Sequence, residues 1–206
     1  MNAEAALAAA AEELTPIAVV DELQMERNLA AMAANAAAAR LRLRPHAKTH
    51  KSVFIARRQL AHGAAGMTVD ALQEADFAQA GVEDILVAHP PVGPEKLRRL
   101  TELAERVPRL ATAIDSVEVA IPVPQSVEIL WEVDSGLHRM GTAPGPETVE
   151  AVLGLVAKIG GDRIRGLMTH GGHAYRATDE DACQRAADEE AGALIESAAQ
   201  LARQGL

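Results

Sequence analysis

Apolar residues fall into short runs along the chain, separated by longer amphipathic stretches, and Gly or Pro marks most junctions. Runs at 15–21, 41–48, 66–70, 84–89, 110–115, 126–134 and 163–170 read as strands rich in Val, Ile and Leu. Helical spacing covers 22–40, 52–61, 71–80, 94–106, 146–159 and 179–204, with a short turn or helix at 116–120 and an Ala/Glu helix or frayed tail at 1–14. Asp21 is placed to cap the first long helix, with Leu23, Leu29 and Met32 facing inward and Glu26 and Arg27 solvated. Gly63, Gly81, Gly160 and Gly205 close helices, and Pro90-Pro91 stops a strand. Strand and helix alternating with short loops predict repeated βαβ units around a parallel sheet, with 15–206 as one domain. Lys48, Asp70, His89, Asp115, Asp134 and His170 fall at the carboxyl ends of these strands, where a (β/α)8 barrel carries its active site. An Asp after a strand is often only a helix cap, and Asp70 and Asp115 are assigned mostly to that role. His89 reads equally well as a rim residue or a site residue.

The stretch Leu41-Arg-Leu-Arg-Pro-His-Ala-Lys-Thr-His-Lys-Ser52 changes this picture most. With a strand period, Arg44, His46 and Lys48 share one face, and Leu41, Leu43, Pro45 and Ala47 the other. Cations crowded around a lysine favour its neutral amine, the form that attacks aldehydes and holds Schiff bases. The same cluster attracts a phosphate, which makes Lys48 a candidate anchor for pyridoxal phosphate. The plainer reading is a solvated basic strand end or a general anion site.

Composition removes several functions. The chain has 206 residues, 49% of them hydrophobic but only 2% aromatic, so the core must be built from Ala, Leu, Val and Ile. A net charge of −9 argues against a general nucleic-acid or anionic membrane partner. The single cysteine, Cys183, excludes an internal disulfide. The amino terminus lacks the basic start of a secretion signal, and no apolar run is long enough to span a bilayer, so the chain reads as cytoplasmic. No strand leads into a Gly-rich nucleotide loop.

Four segments carry a resemblance. Arg44-Pro-His-Ala-Lys-Thr-His-Lys51 is similar to the lysine motif of the D-threonine aldolase and D-serine dehydratase family, a group of alanine-racemase-like pyridoxal phosphate enzymes of fold type III. Gly63-Ala-Ala-Gly-Met-Thr-Val-Asp-Ala-Leu-Gln-Glu-Ala75 resembles its second signature, in which Glu74 reads at least as well as structural as catalytic. Trp131-Glu-Val-Asp-Ser-Gly-Leu-His-Arg-Met-Gly141 resembles the third, and Gly166-Leu-Met-Thr-His-Gly-Gly-His-Ala-Tyr175 the fourth. The segment from Thr15 to Asn28 is also similar to the family's amino-terminal part.

The resemblance implies the barrel of the alanine racemase N-terminal domain, incomplete, with about six barrel strands present. It implies pyridoxal phosphate anchored on Lys48, with His46, Arg139, His170 and Tyr175 around it. His170 resembles the residue that stacks on the cofactor ring, and Arg139 lies beside the cofactor. His173 is placed to exchange a proton with a substrate hydroxyl, and Lys48 and His173 are the catalytic candidates. The implied function is a lyase of D-β-hydroxy amino acids, first a D-threonine aldolase giving glycine and an aldehyde. D-serine dehydratase, racemase and non-catalytic cofactor-binding remnant are alternatives, as is an unrelated barrel enzyme using the basic cluster for a phosphorylated metabolite. No metal ligands are assigned in this chain. A divalent metal, the phosphate-binding turn and a β-domain are expected in a carboxyl-terminal part, and a homodimer in the complete form.

Overall fold

The structure is a computed structural model that describes residues 8, 10, 11, 17–72, 77 and 81–206. Its centre is one parallel sheet of β1 (Met67–Val69), β2 (Asp84–Val87), β3 (Arg109–Ile114), β4 (Glu128–Val133) and β5 (Ile164–Thr169), hydrogen-bonded in chain order. A doubly wound sheet reverses its strand order at a switch point; here it never reverses, which is the course of a barrel. The helices are α1 (Glu22–Ala38), α2 (Val53–Ala61), α3 (Pro94–Ala104), α4 (Val117–Ala120), α5 (Pro146–Ile159) and α6 (Glu180–Arg203). The α/β barrel class is therefore borne out, as an open part of a barrel.

Local chemistry explains the boundaries. Asp21, Ser52, Ser116 and Asp179 each accept a backbone N–H at the start of α1, α2, α4 and α6. Pro94 and Pro146 open α3 and α5, where a missing N–H costs nothing. Every residue of β2 and all but the first of β3 are buried, as strands covered on both faces should be. The core is aliphatic apart from Phe77 and one indole, Trp131, whose Nε1 donates to Thr142 Oγ1 at 2.8 Å. Helix α6 buries Ala186, Ala193, Ser197 and Leu201, and these mostly small residues let it lie close to β5 and α5. Ser197 Oγ accepts the Gly145 N–H at 2.9 Å and donates to the Ala193 carbonyl at 2.8 Å. No helix among the described residues is long and apolar enough to cross a membrane.

Several expectations change. The lysine stretch is not a regular strand: only His46 bridges to Thr68. It is nevertheless laid along β1, with Ala65 N–H to Leu43 O at 2.7 Å, Thr68 N–H to Pro45 O at 2.8 Å and Ala47 N–H to Thr68 O at 2.8 Å. It thus acts as the sixth strand, interrupted because Pro45 has no N–H to give. Arg44 does not join Lys48. It pairs with Asp84 at 2.7 Å at the amino end of β2, where Arg109 and Arg42 approach the same carboxylate at 3.6 and 3.9 Å. Residues 17–21 form no strand, and Ile17, Val19 and Val20 are exposed; among the described residues no strand pairs with them. Thr15 and Pro16, most of 1–14, and most of the helix expected at 71–80 lie outside the described residues. In α1 only Leu29 of the three predicted inward residues is partly buried; Leu23 and Met32 are exposed. Glu26 is not solvated: its carboxylate bonds Arg58 Nε at 2.6 Å and His62 Nε2 at 2.9 Å, and so ties α1 to α2.

Two outcomes follow from this packing. A Cβ on Gly66 would lie 2.3 Å from the Asp84 carbonyl oxygen, so Gly66→Ala should cost about 1–3 kcal/mol in denaturant unfolding. The hydrogen bond from Arg58, then that from His62, holds the Glu26 carboxyl at about 2 against an ordinary 4.5. A depressed carboxyl stabilises above its unfolded value and loses that contribution as pH falls through its folded one. Glu26→Gln should therefore flatten the wild-type loss of stability between about pH 4.5 and about pH 2.

Candidate active site

Lys48 stands where the bridged segment turns away from the sheet. The turn closes with the Lys51 N–H on the Ala47 carbonyl at 2.8 Å, and Ala47 is fully buried. The Lys48 N–H donates to His46 Nδ1 at 3.2 Å, so His46 braces the backbone that carries the lysine. Lys48 itself is half-buried.

Arg139 arrives from the other side of the sheet by a tight loop after β4. Asp134 organises the loop, accepting the Gly136 N–H at 3.0 Å, the His138 N–H at 2.9 Å and His138 Nδ1 at 2.8 Å. Burial works to raise the Asp134 carboxyl, but these hydrogen bonds outweigh it and hold the group below its usual range. The chain then returns beside β4, with Asp134 N–H to Thr142 O at 2.9 Å and Thr142 N–H to Glu132 O at 3.1 Å. That return requires Gly141: its φ is 99°, and a Cβ there would sit 2.6 Å from Asp134 N. Arg139 shares with Glu132, Leu137, Met140 and His170 a crevice too narrow to hold a water molecule.

His170 follows β5 directly. Burial lowers its pKa, and the positive charges of Arg139 and Lys48 lower it further, so these three groups share one electrostatic neighbourhood. The imidazole is thereby favoured in its neutral form. Its ring meets Tyr175 edge-on at 6.4 Å.

The fourth signature folds into an unforeseen 3₁₀ turn, Gly172–Arg176. His173 lies against Gly136, where a Cβ would come within 3.5 Å of the ring, and its Nε2 is 3.7 Å from Glu189 Oε2 of α6. Both ring nitrogens are buried without a hydrogen-bond partner, and His173 does not line the crevice of Arg139 and His170. Tyr175 is 83% exposed. The structure thus puts Arg139 and His170 in one crevice within range of the Lys48 charge, keeps His46 beside Lys48, sets His173 against the Arg139 loop, and leaves Tyr175 mostly in solvent beside the His170 ring. Among the described residues, no three His, Cys, Asp or Glu side chains are placed to hold a metal ion. Glu74 lies outside the described residues.

Three further polar residues belong to this rim. Glu132 was not foreseen. It is 3% exposed, and its Oε2 has no hydrogen-bond partner. Burial raises its pKa; the Arg139 charge opposes that rise, and Asp115 adds to it. A glutamate inside the buried run Trp131-Glu-Val133 was the available signal. Asp115 does not cap α4, a task Ser116 performs; its Oδ2 faces the Gly141 N–H at 3.5 Å. Asp70 lies 3.0 Å from His89 Nδ1; most of the helix it was expected to cap lies outside the described residues.

Comparison with known proteins is decisive: residues 20–206 match the model of the alanine racemase N-terminal domain. The chain belongs to that family. This alanine racemase-type domain is 36% identical over 200 residues to D-threo-3-hydroxyaspartate dehydratase of Delftia sp. (strain HT23), covering 93% of the chain and 52% of that protein. It is 37% identical over 185 residues to D-threonine aldolase of Arthrobacter sp, covering 84% and 48%. The solved D-threonine aldolase of Filomicrobium marinum superposes with a TM-score of 0.86 at 32% identity, covering 94% of this chain and 54% of that one. The domain spans about half the length of the curated relatives it matches. The resemblance read from the four segments is therefore borne out at the level of the family, and the unrelated-barrel alternative falls.

The unpartnered carboxyl of Glu132 generates an outcome of its own. A carboxyl whose folded pKa is raised is at its most stabilising below its unfolded value, and the fold loses stability as pH rises through the folded one. Replacing it by a neutral isostere removes that loss. Glu132→Gln should leave stability unchanged near pH 4 and raise it by about 1 kcal/mol at neutral pH, read from urea unfolding of the domain without ligand.

Proposed function

We propose that this chain binds pyridoxal phosphate and serves a lyase of D-β-hydroxy amino acids, of the D-threonine aldolase type. The observation that supports the reading is that His170, in one crevice with Arg139, is pressed toward its neutral form by burial and by the charges of Arg139 and Lys48. These residues fit the group. Lys48 offers an amine on a braced turn, Arg139 a guanidinium for an anionic oxygen, and His170 a flat uncharged ring. The identities with a D-threonine aldolase and a D-threo-3-hydroxyaspartate dehydratase support the substrate class.

In this reading Lys48 holds the cofactor covalently through its amine, and pyridoxal phosphate, when bound, supplies an electron sink for the bonds at the substrate's Cα. His46 fixes the Lys48 backbone through its Nδ1. Arg139 orients either an anionic oxygen of the cofactor or the substrate carboxylate, and its aim is set by the Asp134 loop. His170 lies beside the two cations without adding a third, because its proton is lost readily there. His173 acts first on the loop, through Gly136. Direct proton exchange by His173 requires its ring to turn away from that contact.

A dehydratase is the second reading, favoured by the 36% identity that extends over 93% of the chain. Products separate the two: D-threonine gives glycine and an aldehyde in one case, and ammonia with an oxo acid in the other.

The first test is chemical. Mixing the chain with pyridoxal phosphate, reducing with borohydride and mapping the peptides should place a pyridoxyl group on Lys48. Lys48→Ala should lose that label. A label spread over other lysines, unchanged by Lys48→Ala, would remove the reading.

A further inference from the structure

We propose that His50 is a positioning residue for Lys48, and that His46 and His50 form a pair of imidazole clamps, one on each side of the lysine, that fix the turn presenting its amine. The proposal rests on the reading of Lys48 as the cofactor anchor. Both clamps have the same form: a ring nitrogen accepts the backbone N–H two residues further on. His46 Nδ1 takes the Lys48 N–H at 3.2 Å, and His50 Nδ1 takes the Ser52 N–H at 3.0 Å. The histidines stand in His46-Ala-Lys48 and His50-Lys-Ser52, so one contact is repeated along a single turn. It is the local bond that Asn or Asp makes in an Asx turn, here made by imidazole.

The clamps interlock with the rest of the turn. Between them the Lys51 N–H closes on the Ala47 carbonyl at 2.8 Å, and the Ala47 N–H is held by the Thr68 carbonyl of β1 at 2.8 Å. Lys51 has a φ of 47°, a left-handed conformation that a lysine adopts only at a cost. The bond on its own N–H and the His50 clamp on the next N–H hold it there. Ser52 then starts α2, its Oγ accepting the Ile55 N–H at 3.3 Å. His46 thus ties the lysine turn to the strand side, where it bridges to Thr68, and His50 ties it to the first turn of a helix. The His50 ring is itself set, T-shaped against buried Phe77 with ring centroids 6.2 Å apart.

Imidazole suits this task beside a lysine that must lose its proton to react. A carboxylate would accept the same N–H, but its charge would favour the ammonium form of Lys48. A neutral imidazole accepts through Nδ1 and carries its hydrogen on Nε2. The arrangement fixes both rings in one tautomer and adds no negative charge to the turn. His50 acts only through the backbone that carries Lys48.

The test joins a tautomer to a rescue. Nitrogen NMR of histidine-labelled chain under mildly alkaline conditions, assigned with His46→Asn and His50→Asn, should show both rings as the Nε2–H tautomer. An Nδ1–H tautomer at His50 overturns the proposal without any ligand. The chain is then mixed briefly with pyridoxal phosphate and reduced with borohydride, and the labelling rate is read at Lys48 and at the exposed Lys158 of α5. His50→Gln, which cannot put its oxygen where Nδ1 stood, should slow Lys48 labelling roughly fivefold and leave Lys158 unchanged. His50→Asn, whose Oδ1 takes the Nδ1 position, should stay within about twofold of the wild type. A general loss of packing would treat the two variants alike. A wild-type rate in His50→Gln, or an equal loss in both variants, overturns the role of His50. Should His50→Gln not fold, the tautomer and the His50→Asn rate decide. Absence of the Lys48 label in the wild type instead overturns the anchor reading, while the tautomers still decide whether the clamps exist.

Discussion

Parallel pairing in chain order is the constraint on which everything else depends. When each strand lies beside its predecessor and points the same way, every carboxyl end reaches one rim and every amino end the other. Side chains as distant in sequence as Lys48, Asp70, His89, Glu132 and His170 are then neighbours without any special contact to recruit them. The short β1 and β2 hold that register through burial rather than length, since no residue of β2 is exposed.

The two ends of the sheet treat charge in opposite ways. At the amino end, buried Asp84 accepts from Arg44 through Oδ1, while its Oδ2, without a hydrogen bond, is still approached by Arg109 and Arg42 at 3.6 and 3.9 Å, and the residue fastens the lysine segment to the sheet. At the carboxyl end, Glu132 has an oxygen with no partner, and His170 is pressed toward its neutral form by burial and by two cations. Pairing a buried charge with several partners favours the fold; leaving one unpaired works against it. A rim that tolerates such groups is organised for something other than its own stability, and this is where pKa values are expected to depart from normal.

Most of the strand and helix pattern was legible because buried strands and capped helices leave local marks. Asp21, Ser52 and Asp179 sit at helix starts as their chemistry predicts. The site was legible as motifs, not as contacts. Strand period placed Arg44 beside Lys48, yet Asp84, 40 positions further on, takes Arg44 to the opposite end. Glu26 looked solvated because its partners Arg58 and His62 belong to the next helix. His173 was read from its loop alone, which gives no sign of its contacts with Gly136 and α6. In each case the partner is distant in sequence, and local periodicity carries no information about such partners.

The Asp134 loop shows how the rim can be polar and still hold its shape. Three hydrogen bonds to one carboxylate fix the turn, the backbone returns to pair with β4, and Thr142 is held between Trp131 and Thr148. Arg139 is therefore mounted on backbone that is anchored to the core through the only indole in the chain. The guanidinium needs no partner of its own to be aimed. That frees its charge to act on Glu132 and His170. Mounting a cation on an over-determined loop separates the cost of positioning from the interaction being positioned, so the fold can supply the first while the ligand completes the second.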